Sequence, residues 1–352
     1  MIRVGLVGFG LAGRVFHAPL ISSVEGLELA AVVERATNKA SALYPGITTY
    51  RSIEELLADA SIKLVVVATP NATHHDIALR VLEAAKSVVV DKPMSTNSTQ
   101  IAELMELAGG IGLQLVPFHN RRWDSDFQTI QRVLHEKQLG QLVHFESTFD
   151  RWRPGSSSRA WKEDPGQGGL LLDLGTHLVD QAIVLFGVPE SVGAEIRHER
   201  TTGEATDSFT LRLNYFTGVS VAVSANCLSS LPRPRFHLRG TKGNFCKWGL
   251  DPQEDALGKI TRIDAPDWGV ESSELWGMLS VDADGSVVTQ AVTPIAGDYR
   301  LFYTGVRDAL LGKGPAPVTA LDAWRAARVL EYAVESARTH HDIECDWSSE
   351  PS

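Results

Sequence analysis

One strongly apolar segment, GGLLLDLGTHLVDQAIVLFG at residues 168–187, carries four polar side chains. On a helix with about 100° per residue, a single arc of about 100° holds all four of them: Asp173, His177, Asp180 and Gln181. Buried polar groups need hydrogen-bond partners, and buried charges need them more. The stripe therefore predicts either a buried network between helices or a ligand site. Histidine, whose pKa lies near neutrality, suits the second alternative because it can accept and return a proton.

A lysine at a predicted strand end is the second candidate for chemistry. Lys92 follows the apolar run VVV and Asp91, and it precedes Pro93, which favours an extended conformation at the lysine. We predict a functional lysine at the end of a buried strand. The alternative is a rim lysine paired with a phosphate or with Asp91.

The glycine-rich stretch GFGLAG follows an apolar strand at residues 2–7 and has the G-x-G-x-x-G spacing. Such glycines permit a tight turn, a close approach of backbone N–H groups to a pyrophosphate, and close packing of helix on strand. A predicted helix and a second strand follow, and an acid at the end of that strand can bind ribose hydroxyls. The pattern predicts a dinucleotide site, the alternative being a tight turn with an accidental acid. The residues assigned to it are Gly8, Phe9, Gly10, Leu11, Gly13, Glu34 and Arg35.

Strands and helices keep alternating up to about residue 120, which predicts a doubly wound parallel sheet. Ligands of such sheets bind beyond the carboxyl ends of the strands. The polar residues at those ends are predicted to bind the cofactor: Thr69, Pro70, Asn71, His74, Asp91, Lys92 and Asn120. A metal reading of His74, His75 and Asp76 is rejected, because adjacent histidines face different sides of a helix. No metal site is expected.

The bulk properties limit the class of protein. A chain of 352 residues predicts two domains, which we place at 1–120 and 121–352. The net charge of −10 argues against a nucleic-acid partner, and no apolar run is long enough to span a bilayer. Three scattered cysteines and an N-terminus without a signal core lead us to expect a cytoplasmic protein.

The second domain is predicted to be α+β, with alternating antiparallel strands and a terminal helix over 320–338 that packs back on the body. Arginine and tryptophan side chains suit a polyhydroxylated ring, and we assign Arg122, Trp123, Arg153 and Trp161 to a substrate wall. Salt bridges and domain packing are the alternative role for these residues. The Gly/Ser-rich residues 154–160 are a candidate lid, and the acidic stretch 264–274 is expected to be disordered.

Three stretches together resemble the glucose–fructose oxidoreductase / inositol dehydrogenase / rhizopine-catabolism (Gfo/Idh/MocA) family: GFGLAG, ATPNATHHDIALRVLEAAKSVVVDKP and DLGTHLVD. FHNRRWDSDF, FDRWRP and KWGLDPQEDAL are similar to its subgroup of NADP-dependent scyllo-inositol dehydrogenases. The resemblance spans residues 2 to about 340. It implies a Rossmann domain followed by an α+β domain with an open, mostly antiparallel sheet, and a homodimer or homotetramer formed through that sheet.

The resemblance also assigns roles. Lys92 matches the lysine of the Glu-Lys-Pro motif, written here with Asp91, and Asp173 and His177 match the Asp-x-Gly-x-His motif. In the family these three groups surround the carbon that exchanges hydride with the nicotinamide. The subgroup has a small residue followed by an arginine after its second strand, whereas this chain has Glu34 before Arg35. A carboxylate there would repel a 2′-phosphate, whereas Arg35 could stack on adenine or reach a phosphate, and NAD is slightly preferred over NADP.

The predicted activity is NAD(P)-dependent oxidation of a secondary alcohol on a cyclic polyol or sugar. His177 would act as acid and base, Lys92 would polarise the reacting oxygen, and Asp173 would orient the site. Two alternatives stay open: a redox-neutral enzyme that uses the nicotinamide transiently, as in glycoside cleavage, and a non-catalytic NAD-sensing protein.

Overall fold

A computed structural model describes residues 1–155, 169–259 and 263–351 of the chain. Its first sheet has six parallel strands in the order β3-β2-β1-β4-β5-β6, which is the strand order of a Rossmann fold. The strands are β1 (Ile2–Val7), β2 (Leu27–Val33), β3 (Thr48–Tyr50), β4 (Leu64–Val67), β5 (Ser87–Val90) and β6 (Leu115–Pro117). All residues of β4, β5 and β6 are buried, as expected of strands covered on both faces. The predicted doubly wound sheet is confirmed.

Five helices connect these strands: α1 (Ala18–Ser23), α2 (Lys39–Leu43), α3 (Ile53–Ala58), α4 (His74–Glu83) and α5 (Ser98–Ile111). A π-helical segment, Gly13–His17, leads directly into α1. Ser52 caps α3 by accepting a hydrogen bond from the Glu55 backbone N–H.

The second sheet has nine strands in the order β14-β13-β12-β11-β7-β10-β9-β8-β15. They are β7 (Leu142–Asp150), β8 (Ser191–Arg197), β9 (Ser208–Asn214), β10 (Ser220–Asn226), β11 (Phe236–Gly240), β12 (Gly243–Lys247), β13 (Gly277–Ala283), β14 (Ser286–Val292) and β15 (Ile343–Glu344). The neighbouring strands β7 and β10 run parallel to each other, and every other neighbouring pair in this order is antiparallel. The open, mostly antiparallel sheet is therefore confirmed.

Among the described residues, this part of the chain has five further helices: α6 (Ser125–His135), α7 (Thr176–Phe186), α8 (Gln253–Gly258), α9 (Arg300–Leu310) and α10 (Ala320–Thr339). A π-helical segment, Leu171–Gly175, leads into α7. One face of the sheet packs against α6, α7 and α10, and its core includes Phe145 of β7. The other face carries half-buried and exposed side chains, such as Met278 and Val287.

Helices α9 and α10 tie the two parts of the chain together. Phe302 and Tyr303 of α9 pack in the same buried cluster as Val4 and Leu6 of β1, although they follow the second sheet in sequence. Helix α10 begins at a capping box made by Thr319 and Asp322, and it packs against both α5 and α7. Across the described residues, no helix combines the length and apolar character needed to cross a lipid bilayer.

The expectation of disorder at 264–274 is wrong. Trp268 and Glu271 are both buried in this stretch, with 7% and 3% of their surface exposed. The Glu271 carboxylate lies 2.9 Å from the ammonium of Lys247, which is itself buried. The Glu271 carboxylate is thus the partner of a buried lysine, which composition alone does not reveal.

Candidate functional site

A cavity of about 790 Å³ lies between the carboxyl ends of the parallel strands and the second domain. Its size suits a cofactor-and-substrate site. The predicted site residues that line it are Gly10, Leu11, Thr69, Pro70, Asn71, Asp91, Lys92, Asn120, Arg153, Asp173 and His177. These residues come from the loops after β1, β4, β5, β6 and β7, from the π-helical segment before α7 and from α7 itself. The fold thus brings together most of the groups predicted from the sequence.

The three motif glycines have different surroundings. A Cβ on Gly8, where φ is +98°, would lie 2.6 Å from the Ala68 carbonyl oxygen, and a Cβ on Gly13 would lie 2.1 Å from the Gly8 carbonyl oxygen. Both positions need glycine for the fold itself. A Cβ on Gly10 would meet no atom within 4 Å, so this glycine leaves open space beside the cavity.

The helix start beside this space carries no acidic side chain in its first turn and no side-chain cap. Unpaired N–H groups at a helix N-terminus favour an anion. The cradle at Gly10 and this helix start fit the pyrophosphate of a dinucleotide. Phe9, in contrast, is buried and packs edge-on against Tyr44, so it supports the loop from behind.

The Glu34 carboxylate is turned away from the end of β2. It is 5% exposed, and it accepts hydrogen bonds from the Thr37 hydroxyl and from the backbone N–H groups of Lys39 and Ala40, at 2.5, 3.2 and 2.8 Å. It therefore stabilises the start of α2. The neighbouring Arg35 is exposed. The two residues that the sequence sets in opposition thus have unequal access to a ligand.

Lys92 and Asp173 form the central pair of the site. The Lys92 Nζ donates to Oδ1 of Asp173 and to its carbonyl oxygen, both at 2.8 Å. The second carboxylate oxygen of Asp173 lies 3.6 Å from the Arg151 guanidinium. The pair joins the loop after β5 to the helix before α7, and so the two domains meet at this contact.

His177 lies on the first turn of α7 and is 4% exposed, yet its side chain lines the cavity. Burial, reinforced by the positive charges of Lys92 and Arg121, holds the pKa of His177 well below its ordinary value of 6.5. Its Nδ1 has no hydrogen-bond partner among the described residues. The imidazole is therefore neutral at neutral pH and able to accept a proton.

The polar stripe of the α7 segment divides into two pairs. Asp173 and His177 face the cavity, whereas Asp180 and Gln181 do not line it. Asp180 is buried and binds the Arg122 guanidinium through both oxygens, at 2.9 and 2.7 Å. Gln181 donates to the Arg121 carbonyl oxygen at 3.0 Å. The stripe is thus partly a ligand face and partly a buried network.

Two of the residues assigned to the substrate do not line this cavity. Arg122 is held by Asp180 and by Asp322, the latter at 3.3 Å, and it does not line the cavity. Trp123 packs edge-on against Phe302 in the interior, with ring centroids 5.8 Å apart. Both residues belong to a short 3₁₀ turn, Asn120–Trp123. The periodicity of the sequence does not determine which way the side chains of such a turn point.

His74 also differs from its assignment as a cofactor residue. It is 1% exposed, and its two ring nitrogens lie 2.8 Å from the carbonyl oxygens of Pro93 and Thr69. It therefore holds the loops after β4 and β5 together behind the cavity wall. Trp161 and residues 156–160 of the candidate lid lie outside the described residues.

The cavity wall contains charged residues that were not assigned to the site. Arg121 pairs with Glu254 at 2.5 Å and with Asp124 at 3.2 Å. Burial raises the pKa of Glu254, but the charges of Arg121, Arg151 and Lys92 and the hydrogen bond from Arg121 together outweigh it, so the pKa lies below its ordinary value. Arg200 lines the same wall. Glu254 belongs to the stretch KWGLDPQEDAL, which carried the resemblance, so a signal for it was present.

Comparison with known proteins agrees with this architecture. Residues 2–119 match the model of the Gfo/Idh/MocA oxidoreductase family's NAD-binding Rossmann fold, and residues 132–345 match its C-terminal α/β domain. The chain is 40% identical over 338 residues to the uncharacterized oxidoreductase YdgJ of Escherichia coli, covering 96% of each chain.

Two further relatives extend the comparison. The chain is 31% identical over 343 residues to scyllo-inositol 2-dehydrogenase (NADP(+)) IolW of Bacillus subtilis, covering 97% of this chain and 95% of the relative. A crystal structure of a putative oxidoreductase from Bacteroides fragilis superposes with a TM-score of 0.91 at 38% identity, covering 98% of this chain and all of that one. The chain therefore belongs to the Gfo/Idh/MocA family and is an NAD(P)-dependent oxidoreductase.

Proposed function

We propose that the protein oxidises a secondary alcohol of a cyclic polyol or sugar, with the nicotinamide as hydride acceptor, and catalyses the reverse reduction. The observation that carries this proposal is the convergence of Lys92, Asp173 and His177 on the cavity that also contains the open Gly10 cradle. The scyllo-inositol dehydrogenase activity named for the relative IolW supports an inositol-like substrate.

His177, Lys92 and Asp173 have different roles in the proposed reaction. When bound, the nicotinamide supplies the hydride chemistry itself. A ring nitrogen of His177 accepts the proton of the substrate hydroxyl, because the imidazole is neutral near pH 7. Of the three Lys92 N–H groups, Asp173 takes two, so one is left to stabilise the developing alkoxide. Asp173 thus orients the lysine.

The wall of the second domain supplies groups for the substrate hydroxyls. Arg151 and Arg153 can donate in fork geometry, and Glu254 can accept. The guanidinium of Arg151 also lies 4.7 Å from the centre of the Phe149 ring, which holds it in place. An arrangement of donors beside an acceptor suits a ring with several hydroxyl groups.

We infer that NADP is the cofactor, in place of the slight preference for NAD. That preference rested on repulsion between Glu34 and a 2′-phosphate, but the Glu34 carboxylate is buried and bonded to the start of α2. Arg35 is exposed beside it. Arg51 holds the loop by donating to the Glu34 and Thr37 carbonyl oxygens, at 2.8 and 2.6 Å. An exposed arginine beside a buried carboxylate favours the 2′-phosphate of NADP over the 2′-hydroxyl of NAD.

Nicotinamide fluorescence during separate titrations with NADPH and NADH tests the cofactor. NADPH should bind more tightly, and Arg35→Ala should weaken NADPH binding about 10-fold while leaving NADH unchanged. Arg3→Ala is a matched control, because Arg3 pairs with Glu28 on the amino-end side of the sheet. Tighter NADH binding by the wild type would overturn the assignment to NADP.

A panel of inositols and aldoses with NADP tests the reaction. We expect one reduced nicotinamide for each substrate molecule consumed. A redox-neutral enzyme would instead convert substrate without accumulating reduced cofactor, and a sensing protein would bind the cofactor without converting any substrate. Either result would replace the proposed dehydrogenase.

We further propose that copies of the chain associate through the open face of the second sheet and that the protein works in the cytoplasm. Exposed apolar side chains on that face, Met278 and Val287 among them, support the contact. Three free cysteines support a reducing compartment. Light scattering of the purified protein measures the number of copies directly, and a monomer would contradict the proposed contact.

A further inference from the structure

The open face of the second sheet carries a cluster of three metal-ligand side chains. His144 and Glu146 are two residues apart on β7, so they project from the same face. His237 on the adjacent strand β11 is in register with Glu146, which places the third side chain on that face as well. Phe145, which alternates with the β7 pair, belongs to the core on the opposite face. The cluster is therefore separated by the sheet from the core that carries α7.

The distances within the cluster suit a shared ion. One ligand atom from each of His144, Glu146 and His237 lies within 4.8 Å of the other two. A tetrahedral zinc ion with bonds of about 2.1 Å holds its ligand atoms roughly 3.4 Å apart. Side-chain rotation closes this difference, since all three residues are half-buried at the surface and are not packed in the core.

The contacts around the cluster also leave ligand atoms for an ion. The Nδ1 of His144 lies 3.4 Å from the Ser220 hydroxyl, and a hydrogen bond there leaves Nε2 as the ligand atom. Arg233 lies 3.5 Å from Glu146 but is held more closely by Asp150, at 2.9 Å. The Glu146 carboxylate thus has capacity for a cation.

We propose that His144, Glu146 and His237 bind one divalent transition-metal ion of the zinc class. Two imidazoles and one carboxylate favour such an ion over magnesium or calcium, which prefer oxygen ligands. Three protein ligands leave one tetrahedral position for a further ligand. The ion clamps β7 to β11 and lies apart from the dehydrogenase cavity. No metal was expected from the sequence, because these strands are distant in the chain.

Calorimetric titration of the chelator-treated full-length protein with Zn²⁺ tests the site. We expect one ion per chain, a rise in Tm on binding, and at least about 100-fold weaker binding in both His144→Ala and His237→Ala. Glu146→Gln, which keeps the shape of the side chain, should also weaken binding. His341→Ala is the matched control, since His341 is exposed at a distance from the sheet face, and it should bind as the wild type does.

Two further measurements make the test decisive. Cys246 is in register with His237 on β12, and Cys246→Ser should keep the zinc affinity, because the thiol is not part of the triad. Mg²⁺ should produce no saturable heat. Wild-type affinity in both histidine variants, or loss of binding in Cys246→Ser, would overturn the proposed site. Circular dichroism and Tm of each metal-free variant show that it is folded.

Discussion

The Lys92 ammonium lies 2.8 Å from both the side-chain Oδ1 and the backbone carbonyl oxygen of Asp173, so one residue of the second domain fixes the lysine of the first. The lysine is held at two of its three donors, and the aspartate is held by the helix that also carries His177. The candidate site is thus assembled from both parts of the chain.

Replacing this lysine tests its role as a donor to the reacting oxygen. Lys92→Met should lower kcat for polyol oxidation about 10²- to 10³-fold, because one stabilising donor is lost in a dry site. NADPH affinity should change much less. Lys63→Met, at an exposed position of the same domain, serves as the control in steady-state kinetics. Equal kcat values in the two variants would contradict the assigned role.

The low pKa of His177 predicts how stability depends on pH. An unfolded chain carries this histidine with a pKa near 6.5, whereas the folded pKa is well below it, so the unfolded state binds more protons between the two values. The free energy of unfolding should therefore fall as pH drops below about 6.5, by up to about 1.4 kcal/mol per pH unit for this one group. His177→Gln should reduce that slope.

Urea unfolding at several pH values below neutrality measures the slope. The exposed His135→Gln is the matched control and should retain the wild-type slope. In kinetics, the same shift predicts that the acid limb of kcat/KM for oxidation lies below pH 6.5. A slope in His177→Gln as steep as in the wild type would show that the imidazole is not buried in its neutral form.

The two glycines Gly10 and Gly13 should respond differently to an added methyl group. Gly10→Ala places its Cβ in open space, so Tm should be unchanged, but the cofactor should bind at least about 10-fold more weakly because the phosphate approaches there. Gly13→Ala places its Cβ 2.1 Å from the Gly8 carbonyl oxygen and should lower Tm clearly. Unchanged NADPH affinity in a folded Gly10→Ala protein would argue against the cradle.

The pair of Arg122 and Asp180 is expected to be structural. Asp180→Asn leaves a largely buried guanidinium with one fewer charge partner, so the free energy of unfolding should fall by about 3 kcal/mol. KM for the polyol should remain within a few-fold of the wild-type value. Glu195→Gln, in an exposed pair with Arg197, should change stability by less than about 0.5 kcal/mol. A large rise in KM with full stability would restore Arg122 to the substrate site.

The sequence predicts the parts of the site that depend on backbone geometry. The spacing of Gly8, Gly10 and Gly13 follows from a tight turn and a close helix, and the structure has both. The strand ends that carry Asn71 and Lys92 follow from the alternation of strands and helices. Local patterns are sufficient here, because each constraint acts within one turn or one strand.

Other parts depend on contacts between distant segments. Arg121 and Arg122 are neighbours on one 3₁₀ turn. The arginine that binds Asp180, here Arg122, points away from the cavity. The Glu34 carboxylate is diverted by N–H groups that exist only after α2 has formed. The orientations of these side chains depend on tertiary partners, so residue type and spacing do not determine them.

The most direct test of the proposed reaction is a single turnover with a cyclic polyol deuterated at the reacting carbon, using enzyme in excess over NADP and substrate. We expect deuterium to be recovered in the reduced nicotinamide, with slower transfer than for the undeuterated polyol, and loss of transfer in His177→Gln while NADPH still binds. Recovery of all deuterium in the carbon product, with no reduced nicotinamide formed, would contradict polyol oxidation by this site.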